Sequence, residues 1–234
     1  MNEKKLPQVR KISELGDIRF PENPNLKDSE KSRIEDAIMK GSIVNPKGRL
    51  FLNKRNLPNV LATDKKGANK VYNNSQEDDK FENGDEQYLS TSQVRKEVDE
   101  RLQQPRGALE REKLKHSGNC LDTIRESPTL VSERLIQSDR IRQERPKLTK
   151  RVIKDESIET CELSGEEFEN DAEAHHIERV CDDPLKALDN DNLIVVKKEI
   201  HGDIHKNNLE GQDGLEEYAD KKGYKLPNRL KKGK

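Results

Sequence analysis

The histidines of this chain are concentrated in two short segments. Four of the five lie in EAHHI, which contains His175 and His176, and in HGDIH, which contains His201 and His205. The apolar run Leu193–Val196 between the segments predicts a strand. EAHHI reads as a second extended piece, after a turn in the preceding TCELSG. His201 and His205 are four residues apart, which places both imidazoles on one side of a helix. The segment therefore predicts two strands followed by a helix, with histidines on both types of element.

This arrangement of histidines is typical of a metal site. Neighbouring residues on a strand point to opposite faces, so one histidine of the pair can face a metal while the other faces a substrate. Two helical histidines and one from a strand make a three-ligand site with an open position, as in catalytic rather than closed structural sites. Two other interpretations stay open: a structural metal site without activity, and four histidines with no common role.

The composition limits the fold to small cores. Charged residues make up 39% of the 234 residues and hydrophobic residues 29%, which favours one or two domains with solvated segments between them. The net charge of -1 does not exclude nucleic-acid binding, because such binding needs only a local basic patch. We expect no membrane span and no signal peptide, since no apolar run is long enough. The three cysteines are too few for a disulfide framework, so a cytoplasmic location is expected.

The chain divides by pattern into four parts. Residues 1–26 contain several prolines and predict an extended arm. Residues 27–146 are expected to form a mixed, mostly helical recognition or interaction region of unknown family. Residues 147–210 contain four of the five histidines and predict a separate domain. Residues 211–234 read as a polar basic tail that frays. The expected fold class is therefore α+β.

Within the N-terminal region the pattern predicts both strands and helices. Helices are expected over Asp28–Lys40, from Ser90 to Pro105, over Ala108–Lys115 and over Thr129–Arg145. Strands are expected in RLFLN and NVLAT, with ANKVYNN as a third candidate, and NNSQEDDKFENGDEQ is expected to be a loop. His116 stands apart from the other histidines and is interpreted as part of a helix end.

The combination of EAHHI, an Asp-Asn pair before a strand and a terminal HxxxH resembles the HNH nucleases, the ββα-metal family. Within that family it is most similar to the nuclease domains of DNase colicins. The resemblance covers about residues 160–208, the last third of the chain, and it is specific as a combination, because HxxxH alone occurs on many helices. It implies a C-terminal ββα-metal domain that hydrolyses phosphodiester bonds in DNA.

The resemblance also implies a role for each matching residue. His176 would be the general base that takes a proton from the attacking water, and His175, His201 and His205 would hold one divalent metal. Asn192 would hold the loop that orients His176, although DNDN is also ordinary turn chemistry. Glu173 would tie down a nearby basic group such as Arg179. The metal could be magnesium, manganese, nickel or zinc, since imidazole suits the transition metals and a substrate phosphate suits magnesium.

Basic residues near the predicted domain suggest a DNA contact. They cluster around the end of the helix expected over Thr129–Arg145, where they form either a solvated face or a surface for the DNA backbone. The candidate DNA-binding residues are Arg142, Arg145, Lys150, Arg151 and Arg179. Cutting both strands with one site per chain would require a homodimer or two sequential events. By analogy, such a protein suits a phage or mobile element acting in a bacterial cytoplasm.

The chain departs from the family in two respects. Many HNH proteins brace the fold with two CxxC pairs that bind structural zinc, whereas Cys161 and Cys181 have no partner at that spacing. We interpret both as small buried residues of the hairpin, with a metal or redox role as the alternative. The composition is also less basic than that of a colicin domain, which leaves substrate preference open. A non-catalytic protein that keeps the fold to bind DNA or a partner is the alternative, and a toxin paired with an inhibitor is a third hypothesis.

Overall fold

The computed structural model describes residues 9–209 and 211–231, and the chain splits into two compact units. The N-terminal unit extends to Arg134, and the C-terminal unit starts at Leu135. Strands and helices occur in both units, which confirms the mixed α+β class. None of the described helices combines the length and the apolar character needed to cross a membrane.

The N-terminal unit contains a five-stranded antiparallel sheet in the order β1-β2-β3-β5-β4. Leu52 and Leu89 are paired at its centre, and both side chains are fully buried. The strands are β1 (Arg10–Lys11), β2 (Ser42–Val44), β3 (Leu50–Asn53), β4 (Lys80–Asn83) and β5 (Glu86–Ser90).

The helices of this unit share one hydrophobic core with the sheet. Ile34 and Ile38 of the first helix and Val94 and Val98 of the fourth are buried in that core, as their spacing predicts. The helices are α1 (Asp28–Gly41), α2 (Leu57–Val60), α3 (Lys65–Asn74), α4 (Thr91–Leu102) and α5 (Ala108–Arg125), and α6 (Pro128–Glu144) spans the division between the units.

Two predicted strands of the N-terminal unit are helical, so those predictions were wrong. NVLAT overlaps α2, where Pro58 occupies the start of a helical turn and Val60 and Leu61 are fully buried. ANKVYNN lies in α3, capped by the side chain of Asp64. In α3 the buried residues Ala68 and Tyr72 are four apart, which is a helical spacing.

The polar segment that was expected to be a loop contains a β-hairpin. β4 and β5 pair from Lys80 to Leu89, and because Asn83 is opposite Glu86, the turn between the strands consists of Gly84 and Asp85. Gly84 has φ of 62°, a conformation that glycine adopts without strain. Glycine at the first position of a two-residue turn is a usual hairpin signal, and the surrounding acidic residues obscured it.

Helix α5 continues well past the predicted end at Lys115. His116, Ser117 and Gly118 are buried in the middle of the helix instead of ending it. A Cβ atom at Gly118 would lie 3.3 Å from Cζ of Arg95, so a glycine at this position permits the close approach of that side chain. Local turn propensity was outweighed here by the burial of Leu121 and Ile124 one and two turns later.

The C-terminal unit is built around the predicted hairpin. Its elements are α7 (Leu148–Asp155), β6 (Ala172–His176), β7 (Leu193–Lys197), α8 (Lys198–Lys206) and α9 (Gly211–Lys222). β6 and β7 form a two-stranded antiparallel sheet, and α8 follows β7 directly. The predicted strand–strand–helix order around the histidines is therefore confirmed.

Strand β7 is buried on both faces, which explains its unbroken apolar run. Leu193 and Val195 pack with residues of α7. Ile194 and Val196 pack on the other face, with residues of α8 and α9. A strand covered on both sides loses the alternation of apolar and polar residues.

The two terminal predictions have different outcomes. Of the predicted extended arm, residues 1–8 lie outside the described residues, and Ile12 and Leu26 are buried in the N-terminal unit. The prediction of a frayed tail was wrong from Gly211 to Lys222, because this segment is α9. Leu215 and Tyr218 of α9 are buried in the C-terminal core, and their three-residue spacing was a helical signal.

Candidate metal centre

Strand pairing determines which histidine faces helix α8. In an antiparallel pair, residues directly opposite each other point to the same face. His175 is opposite Ile194, and Ile194 packs on the α8 side of the hairpin. His176 is opposite Leu193, which packs on the α7 side. The adjacent histidines thus point to opposite faces of the hairpin, and only His175 is directed at the histidines of α8.

The three predicted metal ligands come together at this point. The ligand atoms of His175, His201 and His205 all lie within 4.8 Å of one another. The Nε2 atoms of His201 and His205 are 3.0 Å apart. Two nitrogens bound to the same tetrahedral zinc ion lie about 3.3 Å apart, given the usual bond lengths. The spacing thus fits a single divalent ion.

The environment of His175 also fits a metal ligand. Its side chain is 1% exposed, and neither ring nitrogen has a hydrogen-bond partner. Burial lowers the pKa of His175 to about 3, with additional contributions from His201, His205 and His176. The ring is therefore neutral and keeps a lone pair for a ligand. A buried polar atom without a partner costs about 1–3 kcal/mol, so a metal ion would remove this penalty at one nitrogen.

Glu173 fixes the orientation of His201. Its Oε2 atom lies 2.5 Å from Nδ1 of His201. Because a carboxylate accepts the ring proton at Nδ1, the lone pair of His201 is left on Nε2, the atom that faces His205. Glu173 was expected to tie down a basic group such as Arg179. The structure instead pairs it with His201, a candidate metal ligand, and Arg179 forms an ion pair with Asp182 at 2.6 Å.

His176 is held by a backbone carbonyl. Its Nε2 atom lies 3.0 Å from the carbonyl oxygen of Ala187, and since a carbonyl can only accept, Nε2 carries the proton. The neutral ring then has its lone pair on Nδ1. Burial lowers the pKa of His176, the bond to Ala187 raises it, and the positive charge of Arg145 lowers it again.

Asn192 connects His176 to the loop between the strands. Its amide nitrogen donates to the carbonyl oxygens of Glu178 at 3.0 Å and Lys186 at 3.2 Å. Its amide oxygen accepts the backbone N–H of Glu178 at 2.7 Å. Lys186 precedes Ala187, whose carbonyl holds His176. Asn192 therefore holds the loop that carries Ala187, whose carbonyl oxygen contacts His176.

The candidate DNA-binding residues occupy different environments. Arg142 pairs with Asp139 at 3.2 Å on an exposed part of α6, and Lys150 is exposed on α7. Arg145 is exposed and near enough to His176 to lower its pKa. Arg151 instead donates to the carbonyl oxygen of Leu188 at 2.5 Å and to Asn190 Oδ1 at 3.1 Å. These bonds argue against the predicted DNA contact for Arg151, because its guanidinium already holds the loop.

Sequence reasoning missed the backbone partner of His176 and the loop contacts of Arg151. No sequence signal marks the Ala187 carbonyl, because any residue carries that group.

Of the cysteines expected to be small buried residues, Cys161 is buried, whereas Cys181 is exposed, so the interpretation of Cys181 was wrong. Cys181 lies beside the Arg179–Asp182 ion pair, outside the packed hairpin.

Comparisons with models of protein families, with curated proteins and with solved structures found no match to this chain. The candidate metal centre therefore stands on its geometry alone: three histidines from a strand and a helix, with an acidic residue behind one of them.

Proposed function

We propose that this chain is a metal-dependent endonuclease of the ββα-metal (HNH) class, which hydrolyses phosphodiester bonds in DNA. The observation that carries the proposal is the convergence of His175, His201 and His205 on a β-hairpin followed by a helix. The resemblance of the EAHHI, Asp-Asn and HxxxH segments to HNH nucleases is the basis for proposing DNA hydrolysis as the activity.

In this proposal the three histidines bind one divalent ion, which when bound would neutralise charge on the scissile phosphate and on the leaving oxygen. Imidazole ligands favour zinc, nickel or manganese over magnesium, unless the substrate phosphate adds oxygen ligands. Glu173 holds His201 with Nε2 directed at the ion. The negative charge of Glu173 also offsets part of the charge that the ion brings to a neutral histidine group.

His176 would act as the general base. With Nε2–H donated to Ala187, its Nδ1 lone pair can take a proton from a water molecule positioned beside the phosphate. Asn192 is a positioning residue, because its bonds to Glu178 and Lys186 hold the loop that carries Ala187. A fixed ring orientation is what in-line attack on a phosphate requires.

Arg145 is the best-supported candidate for a phosphate contact. It is exposed, and its charge reaches His176. Guanidinium groups suit phosphate oxygens because they offer several donors in one plane. Arg142, Lys150 and Arg179 would contact the DNA backbone more peripherally. Such contacts give affinity without sequence preference, so any recognition sequence would have to be read elsewhere in the chain.

The proposal is tested by cleavage of supercoiled plasmid DNA. The wild-type protein and His176→Ala are compared with magnesium, manganese, nickel, zinc or chelator. Gln212→Ala, which changes an exposed side chain on α9, serves as the matched control. We expect metal-dependent nicking or linearisation by the wild type and the control, and a loss of at least about 100-fold in His176→Ala, the usual scale for a general base.

The same assay distinguishes the nuclease from the alternative, a non-catalytic DNA-binding protein. If the wild type binds metal and shifts DNA but cuts under none of these conditions, the nuclease proposal is wrong and a non-catalytic DNA-binding role replaces it. If His176→Ala cuts as fast as the wild type, the metal centre can still support hydrolysis, but His176 is not the base.

A further inference from the structure

A second group of metal-ligating side chains lies in the N-terminal unit. It consists of Glu35 on α1 and of His116 and Cys120 on α5. His116 and Cys120 are four residues apart, so they occupy the same side of α5. Both are fully buried, whereas the side chain of Glu35 is 31% exposed and connects the group to the surface. The spacing H-x-x-x-C was visible in the sequence, but it was obscured by the expectation of a helix end at His116.

The distances within this group match those between ligands of one ion. His116 Nε2 lies 3.0 Å from Glu35 Oε1 and 3.6 Å from Cys120 Sγ. With the usual zinc bond lengths and tetrahedral angles, nitrogen–oxygen and nitrogen–sulfur ligand pairs lie about 3.3 Å and about 3.5 Å apart. The three ligand atoms all lie within 4.8 Å of one another.

Hydrogen bonding alone satisfies this group poorly. Both polar contacts of the His116 ring involve Nε2, whereas Nδ1 is buried without a hydrogen-bond partner. A neutral Nε2 either donates to the Glu35 carboxylate or accepts from the Cys120 thiol, and it cannot do both. A buried group left without its partner carries a free-energy cost. A cation placed between the three atoms would interact favourably with all of them.

We propose that Glu35, His116 and Cys120 bind one divalent metal ion, with zinc as the best match. A thiolate, an imidazole and a carboxylate are all common zinc ligands, and the thiolate excludes magnesium and calcium as preferred ions. One carboxylate and one thiolate would balance the two positive charges of the ion, so the site is neutral overall. A neutral complex can be buried at a lower cost than an isolated charge.

Binding requires one proton transfer. The Cys120 thiol loses its proton to solvent as the sulfur–metal bond forms, Glu35 binds through its carboxylate, and His116 binds through the Nε2 lone pair with its ring proton on Nδ1. Three protein ligands leave the fourth tetrahedral position to water. The ion would join α1 to α5, helices that are already connected by the ion pair between Lys113 and Glu30 at 2.7 Å. This site shares no residue with the proposed nuclease centre, and metal binding here does not depend on nuclease activity there.

The test uses cobalt(II) as a spectroscopic probe for zinc in the full-length, reduced protein. A thiolate bound to cobalt gives an intense charge-transfer absorption, which an all-histidine site cannot give because it has no sulfur ligand. We expect this band to appear in the wild type, to reach its maximum at one thiolate-bound cobalt per chain, and to disappear when zinc is added. It should persist in His201→Ala, which removes a ligand from the other centre only.

Cysteine variants assign the band. Cys120→Ser should abolish it, whereas Cys161→Ser and Cys181→Ser should retain it. Glu35→Gln, which keeps the size of the side chain, should weaken cobalt binding at this site and provides a second variant if Cys120→Ser does not fold. The absence of a thiolate band in the wild type would overturn the proposal, as would a band that survives in folded Cys120→Ser or is lost in Cys181→Ser. If the wild type shows no thiolate band, the group is an ordinary buried histidine with a carboxylate partner.

Discussion

The Glu173 carboxylate lies 2.5 Å from Nδ1 of His201 and thereby selects the ring nitrogen that remains available to a metal. Glu173→Gln would keep a hydrogen-bond acceptor but remove its charge. We expect this change to weaken metal binding by about 10- to 100-fold, the usual effect of losing such a partner. Isothermal titration calorimetry with zinc measures it, with all proteins in a Cys120→Ser background that removes the proposed second zinc site. Glu166→Gln, which breaks an exposed pair with Lys197, is the matched control and should bind zinc like the wild type. Equal affinities for all three proteins would show that Glu173 does not orient His201.

Asn192 is expected to be important for both folding and activity. Asn192→Ala removes three hydrogen bonds of a side chain that is 6% exposed and leaves the carbonyls of Glu178 and Lys186 without this donor. The free energy of unfolding should fall by about 1–3 kcal/mol. Urea denaturation followed by circular dichroism measures this, with Asn207→Ala on an exposed turn as the control. Plasmid cleavage should fall further than DNA binding does, and an equal loss of both would assign Asn192 a purely structural role.

The two arginines near the site should affect DNA binding differently. Arg145→Ala is expected to weaken binding uniformly across sequences and to reduce the salt dependence of the affinity by about one phosphate contact. Arg151→Ala should leave the salt dependence unchanged but destabilise the C-terminal unit, because Arg151 holds the carbonyl of Leu188 and the side chain of Asn190. Fluorescence anisotropy at several salt concentrations, together with thermal denaturation, separates the two effects. The opposite result would restore Arg151 as a DNA contact.

The three cysteines should react at different rates in metal-free protein. Cys181 is exposed, whereas Cys120 and Cys161 are buried. Burial raises the pKa of the Cys120 thiol to about 12, and the charge of Glu35 adds to this. Since the thiolate is the reactive form, only Cys181 should be alkylated quickly near pH 8. Mass spectrometry after a short exposure to iodoacetamide identifies the labelled residue, and labelling in urea should reach all three. Rapid labelling of Cys120 in the folded protein would contradict the buried packing of α5.

Helix α9 should make the stability of the C-terminal unit sensitive to alkaline pH. Burial raises the pKa of Tyr218 to about 12, with Asp203 contributing, whereas a tyrosine in the unfolded chain ionises near pH 10. The raised pKa in the folded state means that the stabilisation is fully present below pH 10 and is lost as pH rises towards about 12. Urea denaturation across this range measures the decline. In Tyr218→Phe the decline should be shallower, and an unchanged slope would show that other groups cause it.

The sequence predicted the candidate site better than the N-terminal fold, because the elements of the site are marked by local sequence signals. β7 and α8 contain their own signals, namely the run Leu193–Val196 and two histidines four residues apart. The neighbouring β6 is defined by its pairing with β7, and the pairing decides which histidine faces α8. In contrast, no local pattern determines that Glu173 contacts His201, because the two residues are far apart in sequence.

The errors in the N-terminal unit have two different physical causes. In α5 the apparent stop at His116–Gly118 was overridden by burial against the rest of the core. In ANKVYNN and in the β4–β5 hairpin, by contrast, the signals were present as helical spacing and a glycine-first turn at Gly84-Asp85. They were weak because few apolar residues stand among many charged ones.

Because α9 packs on the core around the histidines, the order of synthesis has a consequence for the nascent chain. Synthesis proceeds from the N-terminus, so the histidines of β6 and α8 leave the ribosome before the helix that contributes Leu215 and Tyr218 to their surrounding core. The N-terminal unit, complete by Arg134, can close its own core earlier. A nascent chain that has been made only as far as α8 would therefore present its candidate metal ligands on an incomplete core, and the addition of α9 would complete that core.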